Sequence, residues 1–138
     1  MDETLKIGWR EWVSLPEFCD VRFRAKIDTG AKTSALHARD LKLSDDGELA
    51  SFWMRSRGGW IEVRDIPVVE HRVVRSSNGK VEDRPVIRTM LAIGGESWPI
   101  LVTLTNRKRM KYRMLIGREA LTDRAVVHPG SSYLLIKK

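Results

Sequence analysis

The chain has 138 residues, of which 42% are hydrophobic and 31% charged, and a formal net charge of +7. That length suits a single domain, residues 1–138, able to bury a core, and no apolar run is long enough to span a bilayer, so no membrane-embedded segment is expected. The single cysteine, Cys19, excludes an intrachain disulfide, and the polar Met1-Asp2-Glu3-Thr4 start does not look like a secretory signal, so a reducing, cytoplasmic location is expected.

Along the chain, short strand-like runs alternate with turn signals. Ile7 to Val13 reads as a first strand, closed by Leu15-Pro16. In Val21 to Ile27, Phe23, Ala25 and Ile27 alternate with Arg22, Arg24 and Lys26, the pattern of a half-buried strand. It delivers Asp28-Thr29-Gly30 into a tight turn. Leu41 to Leu43 precedes an Asp45-Asp46-Gly47 turn, and Phe52 to Arg55 faces Trp60 to Val63 across Arg57-Gly58-Gly59. Val68 to Arg75 leads to Ser76-Ser77-Asn78-Gly79, and Asn-Gly is the strongest short hairpin signal. Pro85 to Ile93 returns, turns at Gly94-Gly95 and is followed by Pro99 to Thr105. Met114 to Gly117 is a short apolar run, Arg118 to Leu121 one helical turn, and Ala125 to Val127 and Tyr133 to Ile136 complete the sheet. Many short strands in one domain predict an all-β barrel or sandwich.

The charge is lopsided. Residues 1–70 hold 11 Lys and Arg against 13 Asp and Glu, whereas residues 71–138 hold 14 against 5. A basic second half fits a polyanionic partner, an acidic peptide or a nucleic acid. Asn106 to Arg113 packs five cations into eight residues beside Tyr112, but no nucleic-acid module accompanies it, so nucleic acid is not the expected partner. His37, His71 and His128 lie far apart, with no local ligand spacing. Gly58-Gly59 and Gly94-Gly95 lack the Lys-Ser/Thr of a phosphate loop. Cys19 beside Asp20 is a poor nucleophile. No metal and no cofactor are therefore expected.

Asp-Thr-Gly alone is a common tripeptide; its setting is more specific. An alternating strand feeds Asp28-Thr29-Gly30-Ala31, and Leu115-Ile116-Gly117-Arg118 comes much later, before a short helix. This pair resembles the retropepsin-like aspartic peptidases, whose apolar-apolar-Gly strand lies beside the Asp-Thr-Gly loop. The Asn78-Gly79 hairpin falls where such a protein carries its flap. A wider set of segments runs from Gly8-Trp9-Arg10-Glu11-Trp12 through Ala25 to Ala38, Ser76 to Gly79 and Leu104 to Arg107, ending with Met114 to Leu121. Over nearly the whole chain this is similar to the bacterial family named ATP-dependent zinc proteases, retropepsin-like in fold and associated with ATP-grasp glutamate ligases. Neither a zinc motif nor an ATP loop supports that name in these residues.

The resemblance implies a retropepsin-like acid-protease β-barrel with one short helix after Gly117. It makes Asp28 the catalytic acid/base, with Thr29 fixing the loop, Gly30 admitting backbone to the site and Gly117 allowing close packing behind it. With one Asp-Thr-Gly per chain, a two-fold homodimer is the straightforward arrangement, and a monomer pairing Asp28 with His37, Asp83 or Glu119 stays open. Lys32 beside the loop would spoil a shared-proton pair if it pointed inward. The ligase association implies a glutamate-bearing substrate. Thr33, Ser34, His37, Arg75, Arg84, Arg107, Arg109 and Arg118 are the candidate substrate-binding residues, the arginines for bidentate pairing with carboxylates. The expected function is an aspartic-type peptidase acting on acidic, glutamate-tailed peptides; the alternative is a non-catalytic module that binds acidic peptides or a glutamate-ligase partner.

Overall fold

The computed structural model describes residues 4–75, 78–106 and 111–135. These form eleven strands and one four-residue helix: β1 Leu5–Gly8, β2 Arg10–Leu15, β3 Cys19–Asp28, β4 Ser34–His37, β5 Arg39–Leu43, β6 Leu49–Ser56, β7 Gly59–Arg75, β8 Val81–Ile93, β9 Glu96–Thr105, β10 Met114–Gly117, α1 Arg118–Leu121 and β11 Ala125–His128. Strands β2-β3-β10-β4-β9-β8 follow one another in the sheet, and β8 returns to β2 through Val13↔Ile93 and Ser14↔Ala92. The sheet thus closes into a nearly all-β barrel of the expected retropepsin-like kind. Among the described residues no helix is long and apolar enough to cross a membrane.

Alternation decides what fills the barrel. Phe23, Ala25 and Ile27 of β3 are buried while Arg22, Arg24 and Lys26 are exposed, so one face of the strand is core and the other is surface. Val13, Leu91, Leu104 and Ile116 close the same core from the other strands. Each such side chain contributes about 1.5–3 kcal/mol on burial.

β7 belongs to two sheets. Gly59 to Pro67 pairs with β6, and Val68 to Arg75 pairs with β8. The change falls where Pro67 offers no N–H and Asp65 has a positive φ of 54°. The two expected strands there are one continuous, bent strand.

Two other expectations are corrected. The run Ile7 to Val13 is broken at Trp9, because β1 pairs in parallel with β11 and β2 antiparallel with β3. Trp9 bridges the change, donating its N–H to Ser131 O (2.8 Å) and accepting from Ile27 N (2.7 Å). Gly8 packs so tightly that a Cβ would overlap the Ser131 carbonyl. The expected strand from Tyr133 to Ile136 is absent as far as Leu135, and Ile136 lies outside the described residues. Tyr133 has a positive φ of 54°. Leu134 and Leu135 donate their N–H groups to the Glu11 carboxylate (2.8 and 3.2 Å), not to a neighbouring strand.

Candidate active site

Asp28 ends β3 in parallel register with Gly117 of β10, while β10 pairs antiparallel with β4 on its other side. The Thr29–Thr33 turn is therefore wrapped around the end of β10. Gly117 is required there: a Cβ would sit 2.6 Å from Thr33 C and O and 2.9 Å from Lys32 O. Three backbone donors behind the turn fix its shape. Gly117 N–H reaches Ser34 Oγ at 3.1 Å, Arg118 N–H reaches Ala31 O at 2.9 Å, and Glu119 N–H reaches Lys32 O at 3.1 Å. The Arg118 guanidinium also donates to Gly30 O at 3.3 Å. Within the turn, Asp28 Oδ1 accepts the Gly30 N–H at 3.1 Å. The carboxylate is half-buried, and one hydrogen bond leaves most of its acceptor capacity unspent.

That capacity faces an open cleft of about 710 Å³. Asp28, Ala31, Thr33, Ala35 and Leu115 form one wall; Val74, Arg75, Asn78, Lys80 and Val81 of the β7–β8 hairpin form the other. The hairpin tip is an Asx turn, with Lys80 N–H on Asn78 Oδ1 (3.1 Å) and Gly79 at φ 85°. Its base is tied to α1 by Arg72, which bridges Glu119 and Glu70, each at 2.9 Å. Among the described residues, the carboxylates lining the cleft are Asp28 and Glu82. Glu82 is held by Arg84 Nε at 3.1 Å and by the Thr105 hydroxyl at 3.3 Å. Arg75, Lys80 and Arg84 make the cleft cationic.

The structure brings Asp28, Thr33, Arg75 and Arg84 together in this cleft. Thr29 and Gly30 are the exposed turn beside it. Ser34 is 1% exposed and serves as an acceptor for Gly117, behind the turn and outside the cleft lining. Arg118 braces the turn from outside the cleft. His37 ends β4 next to Trp60, and its burial lowers its pKa below 6.5. Arg107 and Arg109 lie outside the described residues, as do Ser76 and Ser77. Asp83 is beside His71 (3.8 Å) and Glu119 on Arg72, so neither lines the cleft with Asp28. Lys32 is exposed and also does not line it. Glu82 was not among the sequence candidates. Its signal was the pairing across Asn78-Gly79, where Val74 stands opposite Glu82. Among the described residues no three His, Cys, Asp or Glu side chains are grouped to hold a metal ion.

The family of retropepsin-like aspartic endopeptidases described as RimB-like matches residues 6–138. The chain belongs to this RimB-like family. The description names neither ATP nor zinc, so those words of the family name reached from the sequence are not supported. A protein of Parasynechococcus marenigrum named "Probable alpha-L-glutamate ligase" is 41% identical over 98% of this chain. One of the same name from Shewanella halifaxensis is 37% identical over 97%. This RimB-like chain spans 30% of the length of each. The crystal structure of Lpg0085 from Legionella pneumophila, titled as having unknown function, superposes with a TM-score of 0.79 at 27% identity. That match covers 96% of this chain and 98% of that one.

Proposed function

We propose that the chain is an aspartic-type peptidase acting on acidic, glutamate-bearing peptides, with Asp28 as the acid/base. The observation that carries this reading is the Asp28 carboxylate, pinned by one N–H in a rigid turn and open to a cleft walled by a cationic hairpin. In the reaction, Asp28 takes a proton from a water whose oxygen attacks the scissile carbonyl. A second carboxyl group protonates the carbonyl oxygen. Collapse breaks the C–N bond, and a proton passes to the departing amine. Close carboxyl groups push each other's pKa values apart, which supplies an acid and a base from one residue type.

The second carboxyl group comes from Asp28 of another copy across a two-fold axis, the arrangement that a single Asp-Thr-Gly favours. Glu82, in the same cleft, favours a second arrangement within one chain. Glutamate as the substrate residue is supported by the cleft cations Arg75 and Lys80 and by relatives bearing a ligase name. An ATP-grasp glutamate ligase is the partner or fused neighbour that this reading expects, in the cytoplasm, where Cys19 stays reduced. The contrasting reading is a non-catalytic module that binds acidic peptides for such a ligase.

The test is mass spectrometry of matched peptides tailed with glutamate or glutamine. Wild type is expected to shorten the glutamate tail and Asp28→Asn to leave it whole. Tight binding without any shortening supports the non-catalytic module. Activity that rises with self-association supports the dimer; loss of cleavage in Glu82→Gln at monomer mass supports the intrachain pair.

A further inference from the structure

A second basic concavity, of about 520 Å³, lies on the outer face of the barrel. Four cations from three segments converge there: Arg24 of β3, Arg57 of the β6–β7 turn, and Lys111 and Arg113 just before β10. No carboxylate is among the described residues that line it. None of the four cations forms an ion pair among the described residues. Burial lowers the pKa of Arg113, and the positive charges of Arg55 and Arg24 lower it further. Like charges held together without counter-ions cost stability, and a bound anion offsets that cost.

Aromatic rings fix these cations. Arg57 lies over Trp12 (5.4 Å), and Arg24 and Lys111 lie over Tyr112 (5.8 and 6.0 Å). Tyr133 stacks on Trp12 with ring centroids 6.0 Å apart, and Arg10 lies over it at 4.9 Å. Tyr133 also carries the positive φ of 54°, which is strained for a bulky residue and is held by its N–H on Arg10 O (2.9 Å). Binding single-stranded nucleic acid relies on ring faces free to stack bases. Here the rings stack on one another and carry guanidinium and ammonium groups, which leaves a site suited to carboxylates.

The pocket and the Asp28 cleft each take a residue from β3, Arg24 and Asp28. Asp28, Lys26 and Arg24 project from the same face of β3, because side chains two apart share a face. Lys26 is exposed between the two sites. Four residues of strand span ~13 Å, a distance that a few extended substrate residues cover. We propose that this pocket is a second binding site for the acidic segment of the substrate, joined along Lys26 to the cleft where the bond is cut. The proposal rests on the peptidase reading for its substrate class, but binding tests it separately from cleavage.

The experiment is fluorescence anisotropy of a labelled oligoglutamate peptide with wild type, Asp28→Asn, Arg57→Ala with Lys111→Ala, and Arg24→Gln. Arg57, Lys111 and Arg24 are exposed, so their melting temperatures should match wild type, and the two independent sets guard against one failing to fold. Wild type and Asp28→Asn are both expected to bind, the variant without shortening the peptide. Both pocket variants should bind about tenfold more weakly, the loss of roughly one charge-assisted hydrogen bond. Unchanged affinity in both overturns the pocket even if wild type cleaves. Absence of cleavage with the tenfold loss intact overturns the peptidase reading and keeps the pocket. Displacement of the peptide by a single-stranded oligothymidylate at lower concentration than by unlabelled oligoglutamate overturns it in favour of nucleic acid.

Discussion

Glu11 and Asp28 are carboxylates on adjacent, paired strands, and their surroundings give them opposite uses. Glu11 is 1% exposed and accepts three backbone N–H groups, from Gly8 at 2.7 Å, Leu134 at 2.8 Å and Leu135 at 3.2 Å. Its acceptors are spent on holding the chain after β11 against the barrel. Asp28 is half-buried, accepts one N–H and faces a cleft. A carboxylate satisfied by its own backbone is a structural clip; one fixed by a single donor and open to a cleft has lone pairs left for a water or a substrate.

Removing the clip should have the largest effect on stability. Glu11→Ala leaves three N–H groups without their acceptor and should cost about 4 kcal/mol, read by denaturant unfolding. A loss below about 1 kcal/mol would place Glu11 closer to Asp28 in kind. Gly117→Ala comes next. Its Cβ would press on Thr33 and Lys32 backbone, costing about 2–3 kcal/mol, and should also reduce cleavage by displacing the Asp28 turn. Arg118→Ala loses contacts of 3.3 and 3.5 Å to the turn carbonyls and should cost about 0.5–1 kcal/mol, with a fall in kcat as the sharper readout.

The smallest effect concerns pH. Burial lowers the His37 pKa below its ordinary 6.5, so the folded state takes up its proton later than the unfolded state does. Its contribution is full above 6.5 and falls as pH drops through 6.5 toward the folded value. His37→Gln should flatten a slight fall in Tm over that range, and an unchanged slope would assign the fall to other groups.

Much of the Asp28 side of this comparison was legible in the sequence. The alternation of Phe23, Ala25 and Ile27 set the face of β3, Asn78-Gly79 set the hairpin, and Leu115-Ile116-Gly117 set the strand beside the turn. The first two are local signals; the third rests on the resemblance to retropepsin-like peptidases, because β10 and β3 are far apart in sequence. The Glu11 side was not legible, because two of its three donors, Leu134 and Leu135, are 123 and 124 residues away. Tyr133 to Leu135 has strand-like composition but spends its N–H groups on that carboxylate. The parallel pairing of β1 with β11 and the gathering of Arg24, Arg57 and Arg113 likewise join segments far apart in the sequence. Ser34 shows the same limit: a hydroxyl near the Asp28 turn reads as a substrate contact in the sequence, and in the fold its oxygen accepts the Gly117 N–H.

The central claim is that Asp28 performs the chemistry without supporting the fold. The most direct measurement is kcat/KM on a glutamate-tailed peptide for wild type and Asp28→Asn, with Tm recorded for both. The account predicts a loss of about 10²–10⁴-fold, the usual contribution of a positioned acid/base, at an unchanged Tm. Cleavage at the wild-type rate in Asp28→Asn would contradict it.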